Sequence, residues 1–386
     1  MPRFLNRVAP FIAAAALLAA GAAQAQAPSR KAVLENYAAI VHASYTDSLV
    51  AARELQAAID AFVAQPSEAG LEKARQAWRE AREWYGQSEA FRFYGGPIDG
   101  EEGPEGLINA WPLDEAYIDS VEGRPDAGII NDRTQEITPA RLAELNERGG
   151  EENVATGWHA IEFLLWGQDQ RESGPGVRKY TDFVDGQGPN ADRRRLYLQT
   201  VSAMLVGELE GVAQAWAPGP KNYRADFVAG GQDSVRKILT GLGTLSRGEL
   251  AGERMEVAMD TQDQEDEHSC FSDNTHRDIV TNAQGIRNVW EGRYVARDGR
   301  SVSGAGVKAL VAQKNAKLAE TVSRDIAASV ARAEAIQAPF DREIVGDEAA
   351  PGRTRVRSVI DALKKQADGL VEAAKALGIK RLNTSV

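Results

Sequence analysis

The stretch VLENYAAIVHASYTDSLVAARELQAAIDAF, Val33 to Phe62, decides the fold. Val33, Tyr37, Ile40, Ser44, Ser48, Ala52, Leu55, Ile59 and Phe62 recur at steps of three and four. That period is α-helical, and a stripe of small and apolar side chains suits close packing inside a bundle. Pro66 ends the helix, and Ser67 is placed to cap a second one through Trp78 and Tyr85. Further along, Thr138-Pro139 reads as a helix start with proline at its first position. Asn190 opens a helix through Leu205 and Leu209, and Ser246 to Glu249 has the spacing of a capping box. Leu318–Ile336 and Val356–Leu377 carry helical apolar spacing, and strand-like alternation is scarce.

These signals predict an all-α chain of two tandem helix bundles. The break is expected at residues 217–220, APGP, where two prolines and a glycine stop a helix. The first bundle then covers residues 28–217 and the second 221–386. Thr156–Gly167 can be laid on Thr281–Gly292, with a threonine, an isoleucine and the final glycine in common, which suggests duplication. Two Gly/Pro-rich segments, Gly95–Glu115 and Gly167–Asn190, read as long loops, and loops of that length are often functional.

The first residues, MPRFLNRVAPFIAAAALLAAGAAQAQA, have two arginines, an apolar run and Ala-x-Ala spacing. This is the pattern of a secretory signal peptide, with cleavage expected after Ala25 (residues 1–25). The apolar run is shorter than the ~20 residues a spanning helix needs. No cysteine follows it, so a lipid anchor is not indicated. The expected location is outside the cytoplasm, in the periplasm, with no integral membrane segment left after cleavage. The formal charge is −11, and losing the leader makes it more negative. Such a chain repels nucleic acid and suits cations. Cys270 is the single cysteine and has no intrachain partner for a disulfide.

Chemistry concentrates in two places. GWHAIEFLLWG, Gly157–Gly167, is apolar except for His159 and Glu162, three residues apart and so on one helix face. Imidazole and carboxylate together suit a divalent metal, although on the pair alone a buried His–Glu hydrogen bond that only holds helices together is the stronger reading. Further ligands are expected from YGQSEAFRFYGGPIDGEE: Glu89 near a helix end and Asp99 after a turn, with Asp114 and Glu115 in reserve. The second place is QEDEHSCFSDNTH, residues 264–276, with two of the four histidines. Glu265/His268 and Asp273/His276 both have Glu/Asp-x-x-His spacing, as di-iron bundles use. No nucleophile elbow, phosphate loop or dinucleotide fingerprint is present, and no catalytic residue is assigned.

With these residues in view, the chain resembles the imelysin family, in its iron-regulated protein A branch. The family motif Gly-x-His-x-x-Glu stands here as Gly157, His159 and Glu162. SEAFRFYGGPID, INAWPLDEAYID, GELAGERM and QEDEHSCFSDNTH support the branch, and the likeness runs from about Tyr37 to the end. The resemblance implies two helix bundles and an exported bacterial protein tied to iron acquisition. It also implies either a metallopeptidase or a metal binder that hands iron to an envelope transporter or outer-membrane component. By carry-over, His159 and Glu162 would bind the metal, with Glu89 and Asp99 nearby; iron is expected ahead of zinc. A helical scaffold with a purely structural motif is the third reading.

Overall fold

A computed structural model describes residues 27–171, 173–382 and 384; the expected leader, residues 1–25, lies outside them. Helix α1 (Arg30–Ala64) is the long helix the apolar stripe predicts, with Ser29 accepting from Ala32 N as its cap. Helix α2 (Glu68–Ser88) follows, capped by Ser67. Helices α3 (Gly157–Trp166) and α4 (Ala191–Ala215) complete the first group. Helix α1 packs along α2 and α4, and α3 lies against both α2 and α4. Thr138 does cap a short helix, Pro139–Leu145.

Helix α4 stops just before APGP, but the short helix after it, Tyr223–Ala229, packs back on α1, and the second group starts at Gln232. Helix α5 (Gln232–Thr244) runs without a break into a π-helical stretch, Leu245–Glu256, and then α6 (Val257–Thr261). A new helix start at Ser246 is therefore not found. Ser246 bonds back to the Leu242 carbonyl at 2.6 Å, a common alternative for a serine inside a helix. Helices α7 (Thr275–Glu291), α8 (Ala316–Ala333) and α9 (Pro351–Ala376) finish the group. Helix α9 packs on α8, α5 and the π stretch, and α7 packs on α8. A small antiparallel hairpin, β1 (Arg293–Val295) with β2 (Ser301–Ser303), pairs Tyr294 with Val302. The sequence carried no alternation that announced it.

The two groups share a core. Buried side chains form one cluster from Val33 to Ile379. Across the APGP break, Trp216 packs edge-on against Tyr37, Tyr223 and Phe227. The main seam is α2 on α7. Gly285 makes it close, since a Cβ there would sit 2.3 Å from the Gln87 carbonyl oxygen. Thr156–Gly167 and Thr281–Gly292, which align in sequence, both end helices on a glycine at φ 74°, and both helices pack on α2.

The second long loop is tied down by charge through Arg178. Asp119 is fully buried and accepts from Arg178 (2.8 Å) and, in a fork, from Arg194 (2.7 and 2.9 Å). Burial works against its charge, but Arg178 and Arg194 hold the carboxyl well below its ordinary range. Asp119→Ala would leave two buried guanidiniums uncompensated. We expect it to cost about 3–5 kcal/mol in urea unfolding near neutral pH. A change below about 1 kcal/mol would show that the loop is held otherwise.

Candidate functional site

His159 and Glu162 lie on α3 with their side chains in contact, as an i, i+3 pair should. His159 Nδ1 is 2.9 Å from Glu162 Oε2. The other carboxylate oxygen, Oε1, accepts from Ser272 twice, from the amide (3.0 Å) and the hydroxyl (2.6 Å). Glu162 thus has both oxygens engaged. It aims the imidazole, leaving His159 Nε2 buried and without a partner. The motif glycine has its own reason. Gly157 opens α3 at φ +85°, and a Cβ would come within 2.4 Å of the Ile108 carbonyl oxygen.

A second imidazole completes the centre. His268 stands with its ring centroid 4.7 Å from that of His159, at 73° between planes. Its Nδ1 is 2.9 Å from Asp278 Oδ2 on α7, and its Nε2 also has no partner. Asp278 further accepts from the Ser269 hydroxyl and from Arg82 Nη2 (3.1 Å). Arg82, on α2, reaches Asn109 Oδ1 as well, at 2.7 Å. Two histidines, each steered by an acid side chain on Nδ1, therefore meet edge to face at the α2–α3–α7 junction. Each is only 1% exposed.

The electrostatics fit neutral imidazoles. Burial, then His268 and Arg82, push His159 well below its ordinary value. Burial, then Arg254, takes His268 down to about 4. Burial lifts Glu162 to about 8, with the Ser272 bond offsetting part of the rise. Asp278 is buried too, yet Arg82 and the bond from His268 hold it well below the carboxylate range.

The remaining sequence candidates are distributed around this pair. Glu89 joins its surroundings: its Oε2 accepts from Arg92 (2.9 Å) and from Arg254 (2.6 Å), which the π stretch brings inward. Burial would raise Glu89, but Arg92 and Arg254 bring it down to about 2, and His268 adds to the effect. Asp99 does not join. Its oxygens accept from the amides of Phe93, Tyr94 and Gly96, so it closes its own turn. Asp114 caps the turn Glu115–Ile118. The expected Glu265/His268 and Asp273/His276 pairs are not made, because 264–274 folds as a short 3₁₀ turn and loop rather than a helix. Glu265 lines a surface cleft, and His276 donates to the Asp273 carbonyl at 3.1 Å. Sequence reasoning missed Asp278, Ser272, Arg82 and Arg254. Their partners lie tens to hundreds of residues away, where no spacing rule reaches.

The family model described as Imelysin matches residues 41–370. The chain belongs to the imelysin family. Iron-regulated protein A of Synechococcus elongatus is 26% identical over 347 residues, covering 86% of this chain and 84% of that protein. Two solved structures share the fold. A Parabacteroides distasonis protein described as an iron-regulated protein A precursor superposes with a TM-score of 0.69 at 18% identity, covering 92% of this chain and 97% of its own. An imelysin-like protein from Psychrobacter arcticum gives 0.66 at 15%, covering 91% and 96%. The all-α imelysin fold read from the sequence is thus the fold observed.

Two outcomes follow for the motif. Gly157→Ala meets both a left-handed backbone and a carbonyl in the way. It should lose more than about 1 kcal/mol in chemical unfolding, and wild-type stability would refute the steric account. For Glu162, the folded carboxyl keeps a proton that the unfolded chain releases near pH 4.3. This stabilises the fold below that value and is lost as pH rises through about 8. The two histidines act oppositely. Depressed in the fold, they make stability rise with pH until about 6.5, their unfolded value. The Glu162 term thus shows between pH 6.5 and 8. There the thermal midpoint of metal-free protein should fall more steeply than that of Glu162→Gln; parallel curves would contradict this.

Proposed function

We propose that this protein is an exported metal-binding protein of iron acquisition, taking a divalent cation at the His159–His268 pair. One observation carries the reading: two buried imidazoles, each fixed through Nδ1 by an acid side chain and each with Nε2 unpartnered, meet edge to face with ring centroids 4.7 Å apart. Carboxylate-steered histidine is how proteins usually orient nitrogen ligands. Neutral imidazole is the ligand form, and the burial and arginines described above keep both rings neutral. Imidazole accepts ferrous iron and zinc alike; the tie to iron comes from the relatives named iron-regulated protein A. Export rests on the leader pattern in residues 1–25. No described helix is long and apolar enough to cross a membrane.

Glu162 enters as the residue that orients His159 rather than as a ligand, because hydrogen bonds already occupy both its oxygens. Glu89, with Oε1 unpartnered, is a carboxylate reserve in the same network. A peptidase needs an open ligand position and a polypeptide at the metal. Residues only 1% exposed offer a polypeptide no approach without opening the helix junction.

Cation capture at His159 involves a proton. Ser272 donates twice to Oε1, so the proton of the neutral Glu162 carboxyl lies on Oε2, toward His159 Nδ1. The imidazole then carries its own proton on Nε2. For Nε2 to bind a cation, the Oε2 proton moves to Nδ1 and the Nε2 proton leaves to solvent. The mature chain reloaded with iron(II) or zinc(II) should hold metal stoichiometrically by elemental analysis. His159→Ala and His268→Ala should each lose it. Calorimetry in buffers of different ionisation enthalpy should show about one proton released at pH 7. Metal retained in both variants, or no binding by the wild type, would end this assignment.

A further inference from the structure

The turn at 264–276 sends its polar residues to two different places. His268 and Ser272 go to the histidine pair. Glu267 and Asp273 instead meet Asp169, which follows α3, and Asp341, from the segment before α9. One carboxylate oxygen from each of Asp169, Asp273 and Asp341 lies within 4.8 Å of the others. Glu267 is close enough to Asp341 and Asp273 for their charges to act on it strongly. All four residues are buried, at 0–6% exposure.

Their oxygens lack donors. Neither oxygen of Asp273 and neither oxygen of Glu267 accepts a hydrogen bond of good geometry, and Asp169 and Asp341 each leave Oδ2 without one. Buried carboxylates are ordinarily paired with a cation or saturated with donors, as Asp119, Asp278 and Glu89 are in this same molecule. Arg171 lowers Asp169 and Asp273, but only in part. Its amide caps Asp169 Oδ1 at 3.0 Å, while its guanidinium turns to the Pro175 carbonyl. Burial and mutual repulsion, dominant over Arg171, push Asp273 up to about 8 and Asp169 to about 6. Access exists: Asp341 stands in the wall of a surface cleft of about 900 Å³, which Asp263 and Glu265 also line.

We propose that Asp169, Asp273, Asp341 and Glu267 form a second, all-oxygen site for a hard di- or trivalent cation, entered from the Asp341 cleft. The fully buried Glu267, neither of whose oxygens accepts a hydrogen bond of good geometry although Thr275 and Asp341 stand close, distinguishes this arrangement from a surface patch of acids. Carboxylate oxygens alone select hard ions of the calcium, manganese or ferric class, whereas the histidine pair offers nitrogen. The site is independent of the proposed iron site in its ligands. The short chain between Ser272, which holds Glu162, and Asp273 joins the two.

The mature full-length chain, freed of metal, is titrated with calcium and with terbium(III) by calorimetry, and its thermal midpoint is followed. One ion per chain should bind and raise the midpoint. Asp341→Asn and Asp169→Asn should each weaken binding by at least about tenfold, since affinity at oxygen sites follows the count of charged ligands. In metal-free protein the same variants should melt no lower than wild type, because an amide relieves repulsion between acids. That keeps misfolding from imitating the result. His159→Ala and His268→Ala should leave terbium binding unchanged, which separates this site from the histidine pair. Glu265→Gln serves as the control for nonspecific attraction to the cleft. Binding that survives Asp341→Asn, or failure of both ions to bind, overturns the proposal and makes the cluster one that shares protons only.

Discussion

The buried pair of Arg82 and Asp278 is the contact on which the arrangement rests. Arg82 comes from α2 and Asp278 from α7, so the pair spans the seam between the two groups of helices. The same aspartate fixes His268, and the same arginine fixes Asn109 in the first long loop. Indole and phenol rings of Trp78, Tyr85 and Trp158 surround the guanidinium at 5.4–5.7 Å. A pair this dry gains little net stability over an apolar contact, because desolvation consumes most of the attraction. Its value is specificity. Only one register of α2 against α7 satisfies it, and that register puts His268 beside His159.

The interior treats its charges in two ways. Around the histidines, every acid has a cation or a donor: the neutral Glu162 has Ser272, Asp278 has Arg82, and Glu89 has Arg92 and Arg254. The nitrogen atoms left over are neutral. Around Asp273 the balance is reversed, with several acids and a single arginine turned partly away. A π-helical stretch contributes to the first arrangement by bringing Arg254 and Glu249 to bear together, at 2.7 Å, on the same buried face. Such stretches are uncommon and tend to be kept where a function needs them.

The helices were legible because their causes are local. The stripe from Val33 to Phe62, the caps at Ser67 and Thr138 and the stop at Pro66 act within one or two turns. His159 and Glu162 were legible for the same reason, since i, i+3 geometry needs no tertiary information. What escaped was tertiary. His268 was singled out with the wrong partner because Glu-x-x-His spacing presumes a helix, and the chain there is a loop. Asp99 looked like a free acid near a turn but is consumed by the amides of that turn. Ser246 read as a cap because nothing local says that a helix will run through it. Asp341 carried no signal, lying over sixty residues from its partner Asp273.

The histidine centre draws on residues 82, 159, 268 and 278, so no fragment that stops short of α7 contains it. During synthesis the first group of helices is complete well before residue 268 emerges, and until then His159 has Glu162 but neither Ser272 nor a facing imidazole. The growing chain therefore carries a half-built centre for as long as its last third is missing. The two neutral imidazoles come together only when that third docks onto α2, so the order of assembly itself sets when the centre first exists.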